Sequence, residues 1–235
     1  LDVLYTRKSM KDLVDTYNPS WGYLAPADLG LSVFAPGVRV LGNLPGLKRD
    51  YDGVDLVAEH AFQGGHWMRF SYTNARLKGN SEVGNVASSS PSNTGFARIP
   101  GLAEDYRQGR YDGPLNEDVR HNFKAYGLAK LPFNLELSGA FNIRSGLHFA
   151  NLAKVSGNTI LAPGESRGSR ELPWARSFDF TFAWHKKIQG ADLRLGLDVL
   201  NLTNAQSLSA TNNLSQKPDN YQQGRVMQFS ARAAF

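Results

Sequence analysis

Apolar side chains recur at every second position in segments separated by turn chemistry, and an extended strand is the structure that places such residues on one face. In Ala191–Leu202, Leu193, Leu195, Leu197 and Val199 share a face opposite Asp192, Arg194, Gly196 and Asp198. Arg176–Lys187 sets Phe178, Phe180, Phe182 and Trp184 against Ser177, Asp179, Thr181, Ala183 and His185. Phe133–Ser145 sets Phe133, Leu135, Leu137, Phe141 and Ile143 against Asn134, Glu136, Ser138, Asn142 and Arg144. The final segment, Gln223–Phe235, alternates Met227, Phe229, Ala231, Ala233 and Phe235 with Gln228, Ser230, Arg232 and Ala234. Leu1–Arg7, Arg49–Phe62, His66–Lys78 and Val119–Leu131 complete eight predicted strands. In Val119–Leu131 the pattern leaves two faces in competition, Phe123, Ala125 and Gly127 against Tyr126 and Leu128.

The connections alternate as regularly as the residues. Lys8–Lys48, Gly79–Asp118, Gly146–Ala175 and Thr203–Gln222 are long; Gln63–Gly65, Leu131–Pro132 and Ile188–Gly190 are tight. Every second sheet end therefore carries large loops, an asymmetry typical of outer-membrane barrels and unusual in compact soluble domains, whose connections run about 4–6 residues. Phe235 falls at the turn end, and a terminal aromatic preceded by alternating apolar positions (Met227, Phe229, Phe235) has the form of a barrel-assembly signal.

Bulk properties permit this reading. No run approaches the ~20 apolar residues of a spanning helix, whereas a spanning strand needs only ~9–11 residues with every second one apolar. A mean hydropathy of -0.38 is compatible with such a wall. The 235 residues include no cysteine, which excludes disulfides and thiolate chemistry, and the net charge of +5 is dispersed, which argues against nucleic-acid binding. The first residues show neither a basic n-region nor an h-region, so the reading expects sequence upstream of Leu1.

Several phrases, in order, resemble the end of a TonB-dependent receptor of the Oar-like group. They are Arg49-Asp50-Tyr51-Asp52-Gly53-Val54-Asp55-Leu56, Phe70-Ser71-Tyr72-Thr73 leading to Leu77-Lys78-Gly79-Asn80, and Asp118-Val119-Arg120-His121-Asn122-Phe123-Lys124. Ser145-Gly146 and Leu197-Asp198-Val199-Leu200-Asn201-Leu202-Thr203-Asn204 follow, the latter similar to the family phrase D-x-x-N-L-x-N. The resemblance implies an all-β fold: an open, eight-stranded C-terminal segment of an antiparallel transmembrane β-barrel of roughly 22 strands, a size at which the lumen is plugged. Residues 1–235 then form part of one barrel domain, with the plug domain and TonB box absent from this chain. Implied partners are outer-membrane lipid and lipopolysaccharide, the barrel-assembly machinery, TonB through the N-terminal region, the receptor's own plug and a small or peptide ligand. The implied location is the bacterial outer membrane.

No phosphate loop, metal-type histidine pair or nucleophile elbow is present, so the sequence predicts neither an enzyme nor a cofactor. Of five histidines only His148, in a loop, is placed to ligate a metal or haem; His60, His66, His121 and His185 read as structural or solvated. Candidate ligand contacts are Trp21, Tyr23, Tyr106, Tyr111 and His148, because binding residues concentrate on loops held by a rigid scaffold. Trp174, beside a strand, fits an interfacial girdle equally well. The charges Glu136, Arg144, Asp179, Asp192, Arg194 and Asp198 read as a wet wall that pairs across strands or contacts a plug. Two other readings stand beside the receptor. One is a self-contained eight-stranded barrel with an adhesin or structural role, for which Leu1–Arg7 is short. The other is a barrel enzyme, which lacks a catalytic constellation.

Overall fold

The computed structural model describes residues 1–17, 25–35, 40–43, 45–81, 111–155, 158–212 and 215–234. Eight long strands form one antiparallel sheet: β1 (Asp2–Lys11), β2 (Lys48–Ala61), β3 (Trp67–Gly79), β4 (His121–Leu131), β5 (Leu135–Arg144), β6 (Ala175–Ile188), β7 (Ala191–Leu200) and β8 (Val226–Ala234). Each strand pairs with its sequence neighbours in the order β1 to β8, and Gly113–Pro114 adds a short ninth strand against β3. The sheet is open. Among the described residues β1 pairs only with β2 and β8 only with β7, so the edges do not meet to close a small barrel.

Sequential antiparallel pairing puts the four long connections at one end of the sheet and the three tight ones at the other, as the sequence predicts. The turn chemistry explains the tight end. Gln189 and Gly190 both have positive φ (49° and 86°), the requirement of a two-residue hairpin whose twist matches its strands. Phe133 and Asn134 also take positive φ (63° and 60°), which ends β4 and restarts the chain at Leu135. Phe133 was expected in the strand; it lies instead in this turn, 85% exposed. β1 is longer than the predicted Leu1–Arg7 because Lys8–Lys11 continue the ladder against Lys48–Tyr51. The long connections are partly built of hairpins rather than irregular chain. Val14–Tyr17 pairs with Val40–Asn43, Leu152–Val155 with Asn158–Leu161, and Leu208–Asn212 with Lys217–Tyr221.

Registers align one apolar face across the whole sheet. Val3 faces Leu56, which faces Tyr72, which faces Phe123, which faces Ile143. Phe141 then faces Phe178 with ring centroids 4.3 Å apart, and Leu137, Phe182, Leu197 and Phe229 continue the row. The ambiguity in β4 is thereby resolved: Phe123, Ala125 and Gly127 join the apolar face, while Tyr126 and Leu128 face Ala140 and Ser138 on the other. None of Leu193, Leu195, Leu197, Val199, Phe178, Phe180 and Phe182 is buried. Phe182, Leu195 and Phe229 are 41%, 43% and 78% exposed. A soluble sandwich would cover such a face with a second sheet. Among the described residues nothing does.

The buried core lies elsewhere. Tyr111, Ala150, Leu152 and Leu161 pack together in the long connections, and Leu47, Leu115 and Leu172 are buried at the same end. On the polar face Gly196 is buried and space is tight: a side chain there would meet the Ser230 hydroxyl at 2.6 Å, with the Arg194 guanidinium next at 3.6 Å.

Candidate functional site

Two regions carry the polar chemistry: the layer of loops and the polar face beneath it. The loop layer is keyed by buried polar groups. Arg167, 3% exposed, donates to the backbone oxygens of Tyr111 (2.7 Å) and Asn80 (3.2 Å), tying its own connection to both ends of the one between β3 and β4. Asp118, 1% exposed, accepts from the Leu77 amide at 2.7 Å and turns its other oxygen to Arg120 (3.7 Å) and His148 (3.5 Å). The second ring nitrogen of His148 lies 3.1 Å from the Gly168 oxygen. Both nitrogens of His148 thus face protein oxygens, the role of a loop clamp. Among the described residues no three metal-ligating side chains converge.

The structure places Tyr111 inside rather than on the surface. It is 1% exposed, in the apolar cluster beneath the loops, so its ring is not presented to a ligand in this conformation. Trp21, Tyr23 and Tyr106 lie outside the described residues, as does Phe235 of the terminal signal; Met227 and Phe229 stand exposed on the apolar face of β8. Sequence reasoning passed over Arg167 entirely, because nothing in its local pattern marks a loop arginine as buried.

A row of rings marks the loop end of the apolar face. Tyr72 stacks on Phe123 at 4.4 Å, its hydroxyl lies 2.9 Å from the His121 ring nitrogen Nδ1, and His121 stacks on Trp174 at 5.8 Å. Above this row the same face turns polar, with Arg7 beside Asp52 at 3.6 Å and Ser9 donating to Asp50. Near the turn end His60 meets Phe62 edge-on at 4.3 Å, and Lys186 lies 5.8 Å from the Trp184 ring centre. The apolar face is therefore a band with polar-capable aromatics at both margins, the arrangement such rings adopt where one end is dry and the other wet.

On the polar face several charges are satisfied across strands. Asp198 accepts from Thr181 at 2.5 Å and Asp55 from Thr73 at 2.5 Å; Lys187 lies 3.7 Å from Asp192 and Arg69 3.7 Å from Glu59. Asp179 accepts from Ser177 (2.9 Å) and from the Asn201 amide (2.7 Å). Asn201 in turn donates to the Gln223 backbone oxygen on the approach to β8, so the Asp198–Asn204 phrase ties the end of β7 to the last strand. Arg194 faces Arg232 directly, an unfavourable like-charge pair that Asp192, one dyad away, only partly offsets.

The loop layer also holds a titrating contact. Arg170 holds the Glu165 carboxyl below the ordinary 4.5 by donating to Oε1 at 2.7 and 2.9 Å, and Ser169 adds a bond at 2.6 Å. A lowered carboxylate pKa stabilises the folded loop above 4.5 and is lost as pH falls through the folded value. Amide protection in Gly146–Ala175, read as exchange relative to the intrinsic rate at each pH, should fall as pH drops below about 5, and Glu165→Gln should abolish that response. Exchange with the same pH profile in wild type and variant would show that the contact contributes nothing.

An open antiparallel sheet with one exposed apolar band, one polar face and loops gathered at a single end is thus the class of structure this chain forms. No family model matches the chain, and no curated protein matches it.

Proposed function

We propose that this chain forms wall and surface loops of a bacterial outer-membrane β-barrel, as part of a TonB-dependent receptor for energy-coupled uptake of a scarce ligand. The observation that carries the membrane part is the apolar band, continuous across eight strands and uncovered among the described residues. Strands of 9–14 residues suit the ~9–11 that a tilted spanning strand needs. In lipid the free edges of β1 and β8 must find partners, since no water is there to satisfy them, so the reading requires strands beyond these eight to close the wall. The receptor assignment adds the ordered family phrases and the bulk of the loops. The loops would then face outward and capture ligand, and a plug driven by TonB would release it through the lumen.

The absence of cysteine makes the test clean. With Ala27→Cys in a loop and Ala231→Cys on the apolar face of β8, both at exposed positions, a membrane-impermeant maleimide applied to intact cells should label the first only. Ala231→Cys should also stay unlabelled in isolated membranes and react once detergent-free unfolding exposes it. Labelling of Ala231→Cys in intact membranes would place the apolar band in water and end the barrel reading.

A further inference from the structure

We infer that the polar face carries, just below the loops, a binding site for an anionic saccharide. The inference rests on the receptor reading, which makes this face the lumen side. A cleft of about 420 Å3 opens between β4, β5, β6 and the last long connection. Two cations of the polar face line it, Lys124 and Arg144, and no carboxylate does; Arg176 borders it with its backbone oxygen, while its register opposite Ile143 puts its side chain on the apolar face. Neither has an ion-pair partner among the described residues. The nearest acid along β6, Asp179, is already bonded to Ser177 and the Asn201 amide. Cations left unpaired in a partly enclosed cleft attract an anion.

The amides narrow the ligand further. Asn122, Asn142 and Gln222 line the same cleft, and their side-chain oxygens are buried and have no hydrogen-bond partner among the described residues. The orientation of Gln222 is set by its own nitrogen, which donates to the Arg176 backbone oxygen at 3.0 Å and leaves the oxygen facing away. Buried acceptors without donors are costly, and a ligand that donates to them binds well. A simple anion has no donors to offer. Lys124 faces Asn142 and Arg144 faces Asn122 directly across the ladder. The Cβ atoms of each such pair stand about 5 Å apart, so cation and acceptor are neighbours and the ligand must hold its anionic group and its hydroxyls on one small frame. A uronic acid or a phosphorylated sugar ring does so. Ala175, which completes the Asn122–Arg144 row, presents only a methyl group and leaves the space for that ring.

The test uses the full-length protein purified in detergent and titrated calorimetrically with trigalacturonate, maltotriose, inorganic phosphate and tetra-aspartate. Trigalacturonate should bind, and maltotriose and phosphate at least tenfold more weakly. Lys124→Gln, Arg144→Gln and Asn142→Leu should each weaken trigalacturonate tenfold or more, while Lys130→Gln, on the same face outside the cleft, should not. Because a variant can misfold, phenylglyoxal modification of Arg144 in the unaltered protein gives a second readout: trigalacturonate should slow it several-fold. The proposal is overturned if trigalacturonate fails to bind, if phosphate or maltotriose binds as well as it does, if tetra-aspartate binds better, or if Arg144 is not protected. Cysteine labelling reads the membrane fold without any ligand. Failed binding with that labelling pattern intact removes the saccharide site alone, and failed labelling removes the receptor reading.

Discussion

Replacing Asn201 with leucine should destabilise the protein by about 3–5 kcal/mol, since each unsatisfied buried partner costs roughly 1–3 kcal/mol and such losses add incompletely. Asn201 is 4% exposed, immediately after β7. Its side-chain nitrogen donates to the backbone oxygens of Ala205 and Gln223, both at 2.8 Å, and its oxygen accepts from the Ala205 amide at 2.9 Å. One amide thus stitches the end of β7 to the approach of β8, with Asn204 adding a bond to the Arg225 amide at 2.9 Å. The backbone of Asn201 is left-handed, φ 50°, which asparagine tolerates and leucine resists by about 1–2 kcal/mol. Asn201→Gly separates the two effects, because it loses the bonds but relieves the backbone. Urea unfolding from lipid vesicles should rank wild type above Asn201→Gly and Asn201→Gly above Asn201→Leu. Hydrogen exchange should also quicken at the Ala205 amide. A loss under about 1 kcal/mol in Asn201→Leu would mean that the buried network is dispensable.

An arginine at Leu197 should cost about 2–4 kcal/mol in a bilayer, the price of a guanidinium at the midplane of a lipid-facing barrel surface. Leu197 stands between Phe182 and Phe229, near the middle of the apolar face, and is closer to the band centre than Leu195, which faces Trp184 near the turn-end margin. The comparison needs an arginine that faces away from lipid. Gly196 suits this poorly because any side chain there runs into Ser230. Gln228 is exposed on the polar face and lies directly opposite Asp198, so Gln228→Arg should be near neutral. Urea titration of both variants in vesicles decides the matter. Equal stability would place the two faces in the same solvent and contradict the membrane reading. In detergent-free water the ranking has no reason to hold, so the solvent is part of the prediction.

The strands were legible because a half-covered sheet imposes a period of two on its residues, and seven long strands start and end within three residues of their predicted bounds. β1 alone ran further, since its last four residues (Lys8–Lys11) show no apolar alternation and are held by backbone pairing to β2. Phe133 misled because its apolar side chain continued the pattern of β5 while its backbone turned. Such a turn depends on backbone geometry that residue type only biases. The loops were legible as loops, but their hairpins were not, because pairs such as Leu152–Val155 with Asn158–Leu161 are too short to display a period.

The functional residues divide the same way. Loop aromatics are expected as ligand contacts because binding residues concentrate on loops, yet Tyr111 is the largest fully buried side chain among the described residues. Arg167, Asp118 and the cleft of Lys124, Arg144 and Asn142 were invisible as a set, since their members come from different strands and connections. By itself the sequence determined that the chain is an antiparallel β-sheet, which face of most strands is apolar, and that large loops gather at one end. Those properties follow from local alternation and from the length of each connection. Only the tertiary structure decided the face of β4, the open edges, the buried keys of the loop layer and the unpaired cations beneath it. Each of these depends on the register between strands, which brings together residues that sequence distance keeps apart.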